Sequence, residues 1–127
     1  MGYRSSVHAL FYWPDEPEEA VEKEKYALLK FLLDTTYKDL VEKWNEHGQC
    51  FCLYDDIRIV EFRVHDVKWY DSFAEVEGFE KMMNTLDEAG FAFEFVRTGE
   101  DDADIEINRS GHAGYKLAVQ TSSEIIA

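Results

Sequence analysis

The sequence predicts an α+β domain in which a mixed or antiparallel sheet carries its helices on one face. Apolar residues alternate with polar ones near both ends of the chain, which is the pattern of half-buried strands. Between those ends, apolar residues recur at helical spacing. The chain has 127 residues, 46% of them hydrophobic, and no linker-like stretch. Residues 1–127 are therefore expected to form a single acidic domain with a substantial core.

The first half of the chain is predicted to form one strand followed by helical sequence. Residues 3–13 alternate as a strand, and Pro14 ends it. Helical spacing follows over 17–33 and again over 37–47. One apolar stripe also runs through both segments, so two separate helices and one kinked helix both remain open.

The second half is predicted to contain a hairpin, a third helix and further strands. Residues 50–54 and 57–69 are β-like and are joined by a short acidic turn. A capping box at Ser72 and Glu75 predicts the start of a helix that ends at Gly90. Strand-like alternation then recurs in three runs, at 91–96, 103–107 and 115–121.

This order of elements favours a ferredoxin-like βαββαβ core that is extended by a C-terminal hairpin. Hairpins and helices that are segregated along the chain indicate a mixed or antiparallel sheet with helices on one face. Exposed edge strands, such as 115–121, offer a route to a homodimer because their backbone groups are open to pairing.

The net charge of the chain limits the kinds of partner that it can bind. There are 27 Asp and Glu residues against 13 Lys and Arg residues, for a net charge of −14. Such a surface repels phosphate backbones and attracts basic partners, so direct nucleic-acid binding is disfavoured. The sequence has no membrane-length apolar stretch and no hydrophobic signal core, and its two cysteines, Cys50 and Cys52, make no disulfide framework. These features favour a cytoplasmic protein.

Two acidic runs are the most distinctive feature of the sequence. In the first run, spacings of three and four place acids along one helical face. The second run holds five acids in the seven residues 100–106. We expect the acids of these two runs to bind a partner by competing with nucleic acid for a basic groove. They are Asp15, Glu18, Glu19, Glu22, Glu100, Asp101, Asp102, Asp104 and Glu106.

Trp69 and Tyr70 are the aromatic candidates for the same surface. They lie between a predicted strand and a predicted helix. Exposed aromatic residues are frequent hot spots of protein interfaces. A role as core anchors is the favoured alternative, because Trp and Tyr are mostly buried.

Sequence motifs for catalysis are missing. The chain has no Gly-rich phosphate loop and no nucleophile elbow. His8 and His65 are candidate acids or bases, and His112 lies in a predicted glycine-containing loop. A non-enzymatic function without a cofactor is therefore favoured.

Two clusters resemble metal sites but are incomplete. His47, Cys50 and Cys52 lack a fourth zinc ligand, and burial of the cysteines is the favoured alternative. The acids of 101–106 lack the glycine and the bidentate glutamate of a calcium loop. A metal-assisted hydrolase or nuclease that uses the carboxylates of 100–106 is the alternative function.

Three segments carry a resemblance to a known group of proteins. They are the opening MGYRS (1–5), VKWYDS (67–72) and FVRTGEDD (95–102). In these segments the chain resembles small acidic proteins encoded by tailed bacteriophages. The resemblance implies a phage gene expressed in a bacterial cytoplasm, and it implies no particular activity. Together with the charge, it suggests a protein that binds and modulates a host protein, such as a nucleic-acid-handling or defence factor. A virion assembly factor is a further alternative.

Overall fold

The computed structural model describes residues 3–14, 16–101, 103–111, 113–114, 118–119 and 125–126. The helices are α1 (Glu19–Asp34), α2 (Lys38–Asn45) and α3 (Ala74–Glu88). The strands are β1 (Ser5–Tyr12), β2 (Phe51–Tyr54), β3 (Ile59–Val67), β4 (Ala92–Gly99), β5 (Ile105–Arg109), β6 (Ala118–Val119) and β7 (Ile125–Ile126).

Five of these strands form one antiparallel sheet in the order β2-β3-β1-β4-β5. The predicted α+β class and the antiparallel sheet are thus confirmed. The connection from β1 to β2 carries two helices, where a plain βαββαβ unit has one. Of the predicted strand 115–121, only residues 118–119 are among those described, and they pair with β7. The remainder of the predicted C-terminal hairpin, and the dimer edge that it was expected to supply, lie outside the described residues.

The main core lies between one face of the sheet and the three helices. Val7, Ala9 and Phe11 of β1 point into it, because alternate side chains of a strand share a face. The helices add buried apolar residues to the same core: Tyr26, Leu29, Leu33, Trp44, Val76, Phe79, Met82, Met83 and Leu86. Each large side chain removed from water in this way contributes about 2 kcal/mol.

The opposite face of the sheet also buries apolar residues. A smaller cluster forms there from Leu10, Tyr12, Ala92 and Val96, with Ile59 packed against it. Ile59 of β3 thus lies on the face opposite Val60 and Phe62, so β3 carries apolar residues on both faces of the sheet. The strand itself begins later than predicted, and its first predicted residues lie in the turn 55–58.

The helix boundaries settle one question that the sequence left open and correct one prediction. α1 and α2 are separate helices, joined by a turn at residues 35–37. The predicted capping box at Ser72 and Glu75 is wrong, because the N-cap of α3 is Phe73 and no side chain caps it by a hydrogen bond. None of the helices in the described part of the chain is long and apolar enough to cross a membrane.

The end of α3 at Gly90 is confirmed. Gly90 has a φ of +97°, a conformation that glycine adopts without a steric penalty. The backbone N–H of Phe91 donates to the carbonyl of Leu86 at 2.9 Å, and the Gly90 N–H donates to the carbonyl of Asp87 at 3.0 Å. These two bonds make a Schellman motif, which satisfies the last carbonyls of the helix.

Candidate acidic interaction surface

Two acids of the first acidic run, Glu19 and Glu22, lie in the first turn of α1 and pair with one arginine, whereas Glu18 precedes the helix as its N-cap residue. Glu22 and Glu19 accept hydrogen bonds from the guanidinium of Arg58 at 2.7 Å and 2.8 Å. The bond from Arg58 lowers the pKa of Glu19. Glu18 is exposed and, among the residues that the structure describes, has no ion pair, whereas Asp15 lies outside those residues.

Arg97 of β4 binds two acids of the second run. Its guanidinium donates to Asp104 at 3.0 Å and to Glu106 at 3.0 Å, so these two side chains lie on the same side of the β4–β5 hairpin. The hydrogen bonds from Arg97 hold the pKa of Asp104 below its usual value. Glu100 is exposed, and Asp102 lies outside the described residues.

Tyr3 connects the second run to the segment that precedes α3. Its hydroxyl donates to Oδ2 of Asp104 at 2.7 Å and accepts from the backbone N–H of Asp101 at 3.2 Å. Its own backbone N–H donates to the hydroxyl of Tyr70 at 2.8 Å. These bonds place Tyr70, and with it the neighbouring Asp71, beside the acids of the second run.

α3 adds further carboxylates to this end of the molecule. Glu80 is half-buried, and burial raises its pKa, as do the negative charges of Asp71, Glu106 and Glu77 in that order. Burial is the largest of these causes, and the contributions of Asp71, Glu106 and Glu77 show that their carboxylates lie close to Glu80. The cation next to it, Lys81, forms an ion pair with Glu77 at 2.9 Å. We define the acidic patch as Asp71, Glu77, Glu80, Glu100, Asp101, Asp104 and Glu106.

The two acidic runs lie at opposite ends of β1. Ser5, which begins β1, pairs with Gly99, directly before the second run. Phe11 pairs with Val60, two residues after the Arg58 that binds the first run. The six residue steps between Ser5 and Phe11 span about 20 Å. Because charges are screened over about 8 Å at physiological ionic strength, the runs act as separate surfaces.

The two candidate aromatic residues have different surroundings. Trp69 is half-buried, packs against the main core and stacks on Trp44 with ring centroids 5.2 Å apart. This placement favours the core-anchor alternative for Trp69. Tyr70 is also half-buried, with its ring 5.3 Å from that of Phe73 and its hydroxyl held by Tyr3. Tyr70 therefore borders the acidic patch.

Sequence analysis missed two carboxylates that are buried on the sheet face opposite the helices. Glu94 is fully buried and accepts hydrogen bonds from the Tyr12 hydroxyl at 2.5 Å and from Nε of Arg109 at 3.3 Å. Glu61 of β3 is 9% exposed. In the sequence, each of these two glutamates lies between two large apolar residues of a predicted strand. A charged residue that interrupts an apolar strand was the available sequence signal for a buried carboxylate.

Glu61 pairs with a buried histidine. Nε2 of His8 lies 2.6 Å from Oε2 of Glu61, and the Tyr54 hydroxyl donates to Oε1 at 3.0 Å. Burial lowers the pKa of His8 in spite of the adjacent carboxylate. Burial acts to raise the pKa of Glu61, but the hydrogen bonds from His8 and Tyr54 hold it below its ordinary value. A neutral imidazole thus donates to an ionised carboxylate, which lies on the wall of a cleft of about 450 Å³.

The predicted zinc candidates do not assemble into a site. The Cys50 thiol is buried and donates to the carbonyl of Trp44 at 3.2 Å, and burial raises its pKa. Cys52 is half-buried and lies opposite Glu61 in the strand register. Over the described ranges of the chain, no group of three or more His, Cys, Asp or Glu side chains is arranged to hold a metal ion. His112 lies outside those ranges.

Comparison of the chain with protein-family models, with curated proteins and with solved structures finds no match. The resemblance to small acidic phage proteins therefore stays a prediction, and proposals about function depend on the residues themselves.

Proposed function

We propose that this protein is an interaction protein that binds a basic surface of another protein through the acidic patch. One observation carries the proposal. Carboxylates from α3, from β5 and from the segments that directly precede these two elements converge around Glu80. Among the described residues, the cations that pair with the patch are Arg97 and Lys81, and most of its carboxylates have no ion pair there.

A patch of this kind favours a basic partner for two physical reasons. Long-range attraction raises the rate of encounter with a positive surface, and the effect weakens as salt screens the charges. A cation that approaches Glu80 also offsets the negative charges of Asp71, Glu106 and Glu77, which raise the pKa of Glu80 in addition to burial. The adjacent Tyr70 adds an aromatic contact at the border of the patch.

We further propose that the partner is a bacterial host protein with a groove for nucleic acid. The phage-like segments support a host partner and a cytoplasmic location, and clustered carboxylates resemble the charge density of a phosphate backbone. No observation on the described residues favours the metal-assisted hydrolase or the virion assembly factor over this function. The carboxylates of Asp104 and Glu106 are occupied by the Arg97 guanidinium.

The proposal is tested with a triple variant that neutralises the patch, Asp71→Asn, Glu80→Gln and Asp101→Asn. These acids have no ion pair among the described residues, so their removal leaves Arg97 and Lys81 with their partners. Binding is measured by titration calorimetry with a lysine-rich and arginine-rich peptide at several salt concentrations. We expect the variant to bind at least about tenfold more weakly at low salt, at roughly 0.5 kcal/mol per charge removed.

The matched control removes three equal charges elsewhere, with Asp34→Asn, Asp39→Asn and Glu42→Gln on α1 and α2. We expect this control to bind nearly as well as the parent protein. Equal weakening by both triple variants would mean that net charge, and not the patch, attracts the peptide. Weakening by a Glu18→Gln variant alone would instead assign binding to the first acidic run. Capture of host proteins with the parent and the patch variant then identifies the natural partner.

We also propose that β1 to β4 and the helices form a ferredoxin-like unit. Two observations support this assignment. The neighbour order of these strands is β2-β3-β1-β4 with antiparallel pairs throughout, and helices connect β1 to β2 and β3 to β4.

A further inference from the structure

A cavity of about 370 Å³ opens where the end of β3 meets α2 and the start of α3. This volume is at the lower end of the range for small-molecule sites. Its lining combines aromatic rings with charged side chains of both signs, chiefly Arg4, Lys68, Asp66, Glu75, Trp44 and Phe73. Arg4 and Asp66 also line a neighbouring pocket that includes Glu100, so the cavity borders the acidic patch, but ligand binding in it does not require the proposed function.

Two cations of the cavity form no ion pair among the described residues, as is also the case for Lys25 and Lys38 elsewhere. Most described Lys and Arg side chains lie within 4 Å of a carboxylate, but Arg4 and Lys68 form no such ion pair there. Arg4 donates from Nη1 to the backbone carbonyl of Asp66 at 2.9 Å, and its guanidinium has further N–H donors. A carboxylate ligand is the natural partner for such a pair of cations.

A β-bulge places one of the acids beside these cations. Val7 of β1 pairs with Val64, but Ser5 pairs with Val67, so β3 carries one extra residue between the two pairs. Asp66 lies in this bulge with a φ of +56°, a left-handed conformation that costs a non-glycine residue about 1 kcal/mol. Bulges often re-aim a side chain next to a functional site. The bond from Arg4 to the Asp66 carbonyl stabilises this conformation.

The second acid and the aromatic rings complete the lining. Glu75, in the first turn of α3, is half-buried and forms no ion pair within the part of the chain that the structure describes. Trp44 borders the cavity but is only 1% exposed, so the ring open to a ligand is that of Phe73, which is 37% exposed at the rim. Aromatic walls favour a flat ring by stacking or edge contacts.

We propose that the cavity binds a small aromatic zwitterion, such as an aromatic α-amino acid. The ligand carboxylate lies between Arg4 and Lys68, its ammonium group lies near Asp66 and Glu75, and its ring packs against Phe73. A ligand with one charge would leave either the two cations or the two acids unsatisfied. A ligand without a ring would leave the exposed ring of Phe73 in contact with water.

The test compares a full ligand with three partial analogues. Phenylalanine is titrated into the intact protein by calorimetry, and the change in tryptophan fluorescence reports contact with the cavity wall. Phenylacetate keeps the ring and the anion, phenethylamine keeps the ring and the cation, and glycine keeps both charges. We expect saturable binding of phenylalanine, with each analogue at least about tenfold weaker, as expected for loss of one charge-assisted hydrogen bond or of the ring contact. No saturable binding of phenylalanine, or equal binding of an analogue that has one charge, would overturn the proposal.

Variants localise the binding. Lys68→Gln and Glu75→Gln are each expected to weaken phenylalanine binding at least about tenfold. The matched control is Lys38→Gln, an exposed lysine of α2 that has no ion pair in the described ranges and lies outside the cavity lining. Circular dichroism confirms that each variant is folded. Equal weakening by Lys38→Gln would show that the effect comes from net charge, and the proposed site would be wrong.

Discussion

Replacement of Glu61 by alanine is expected to lower the free energy of unfolding by about 3 kcal/mol. Glu61 is 9% exposed and accepts a hydrogen bond from His8, which is 2% exposed. Without the carboxylate, the imidazole N–H of His8, which is 2% exposed in the parent protein, loses its acceptor. This desolvated donor is the main source of the expected loss of stability.

The expected loss of stability depends on the solvent exposure of each hydrogen-bonding partner of Glu61. The unsatisfied N–H of His8 costs about 2 kcal/mol. The lost buried methylene of the Glu61 side chain costs about 0.8 kcal/mol. Tyr54 is 41% exposed, and the side chain of Arg63 is 48% exposed, so water replaces their contacts and they add little. For a chain of this length, the total corresponds to a fall in Tm of roughly 10 °C.

Urea denaturation and calorimetry measure this loss. The matched control is Glu77→Ala, because the pair of Glu77 with Lys81 is exposed and is expected to contribute less than about 0.5 kcal/mol. If the free energy of unfolding of the Glu61→Ala variant lies within about 1 kcal/mol of the parent value, the description of Glu61 and His8 as a buried, stabilising pair is wrong.

Three further predictions concern other groups. Burial lowers the pKa of His8 in the folded state, so the unfolded chain binds more protons below the ordinary pKa of 6.5. The stability advantage of the parent protein over a His8→Gln variant is therefore expected to shrink as the pH falls from about 7 to 5, and an unchanged difference would show that His8 is not desolvated. Burial also raises the pKa of the Cys50 thiol, so a thiol reagent at mildly alkaline pH is expected to modify Cys52 first, and equal rates would contradict this. Gly90→Ala is expected to cost about 1 kcal/mol in urea denaturation, because φ is +97° and the new Cβ would lie 3.0 Å from the Trp13 ring; no loss would argue against the Schellman end of α3.

Local sequence patterns were sufficient to predict most of the elements. The alternation of Val7, Ala9 and Phe11 identifies the central strand, because its period of two is a property of one segment. Gly90 marks the end of α3 for an equally local reason, its positive φ. The start of α3 was placed wrongly because Ser72 has the composition of a cap, while the backbone enters the helix one residue later.

The candidate surface could be predicted only in part. The acids of 100–106 are visible as a run, but their approach to Glu80 depends on β5 pairing with β4 at the sheet edge. The neutralisation of Glu19 and Glu22 depends on Arg58, which comes from a distant turn. Contacts of this kind arise from sheet order, and sequence periodicity carries no information about which strands become neighbours.

The pKa of Glu80, measured by carboxyl-carbon NMR titration, tests most directly whether acids from separate elements converge there. We expect a value above the ordinary 4.5 in the parent protein and a lower one in a Glu106→Gln variant, because that variant removes one of the neighbouring charges. A value at or below 4.5 that does not respond to Glu106→Gln would contradict the acidic patch and the function proposed from it.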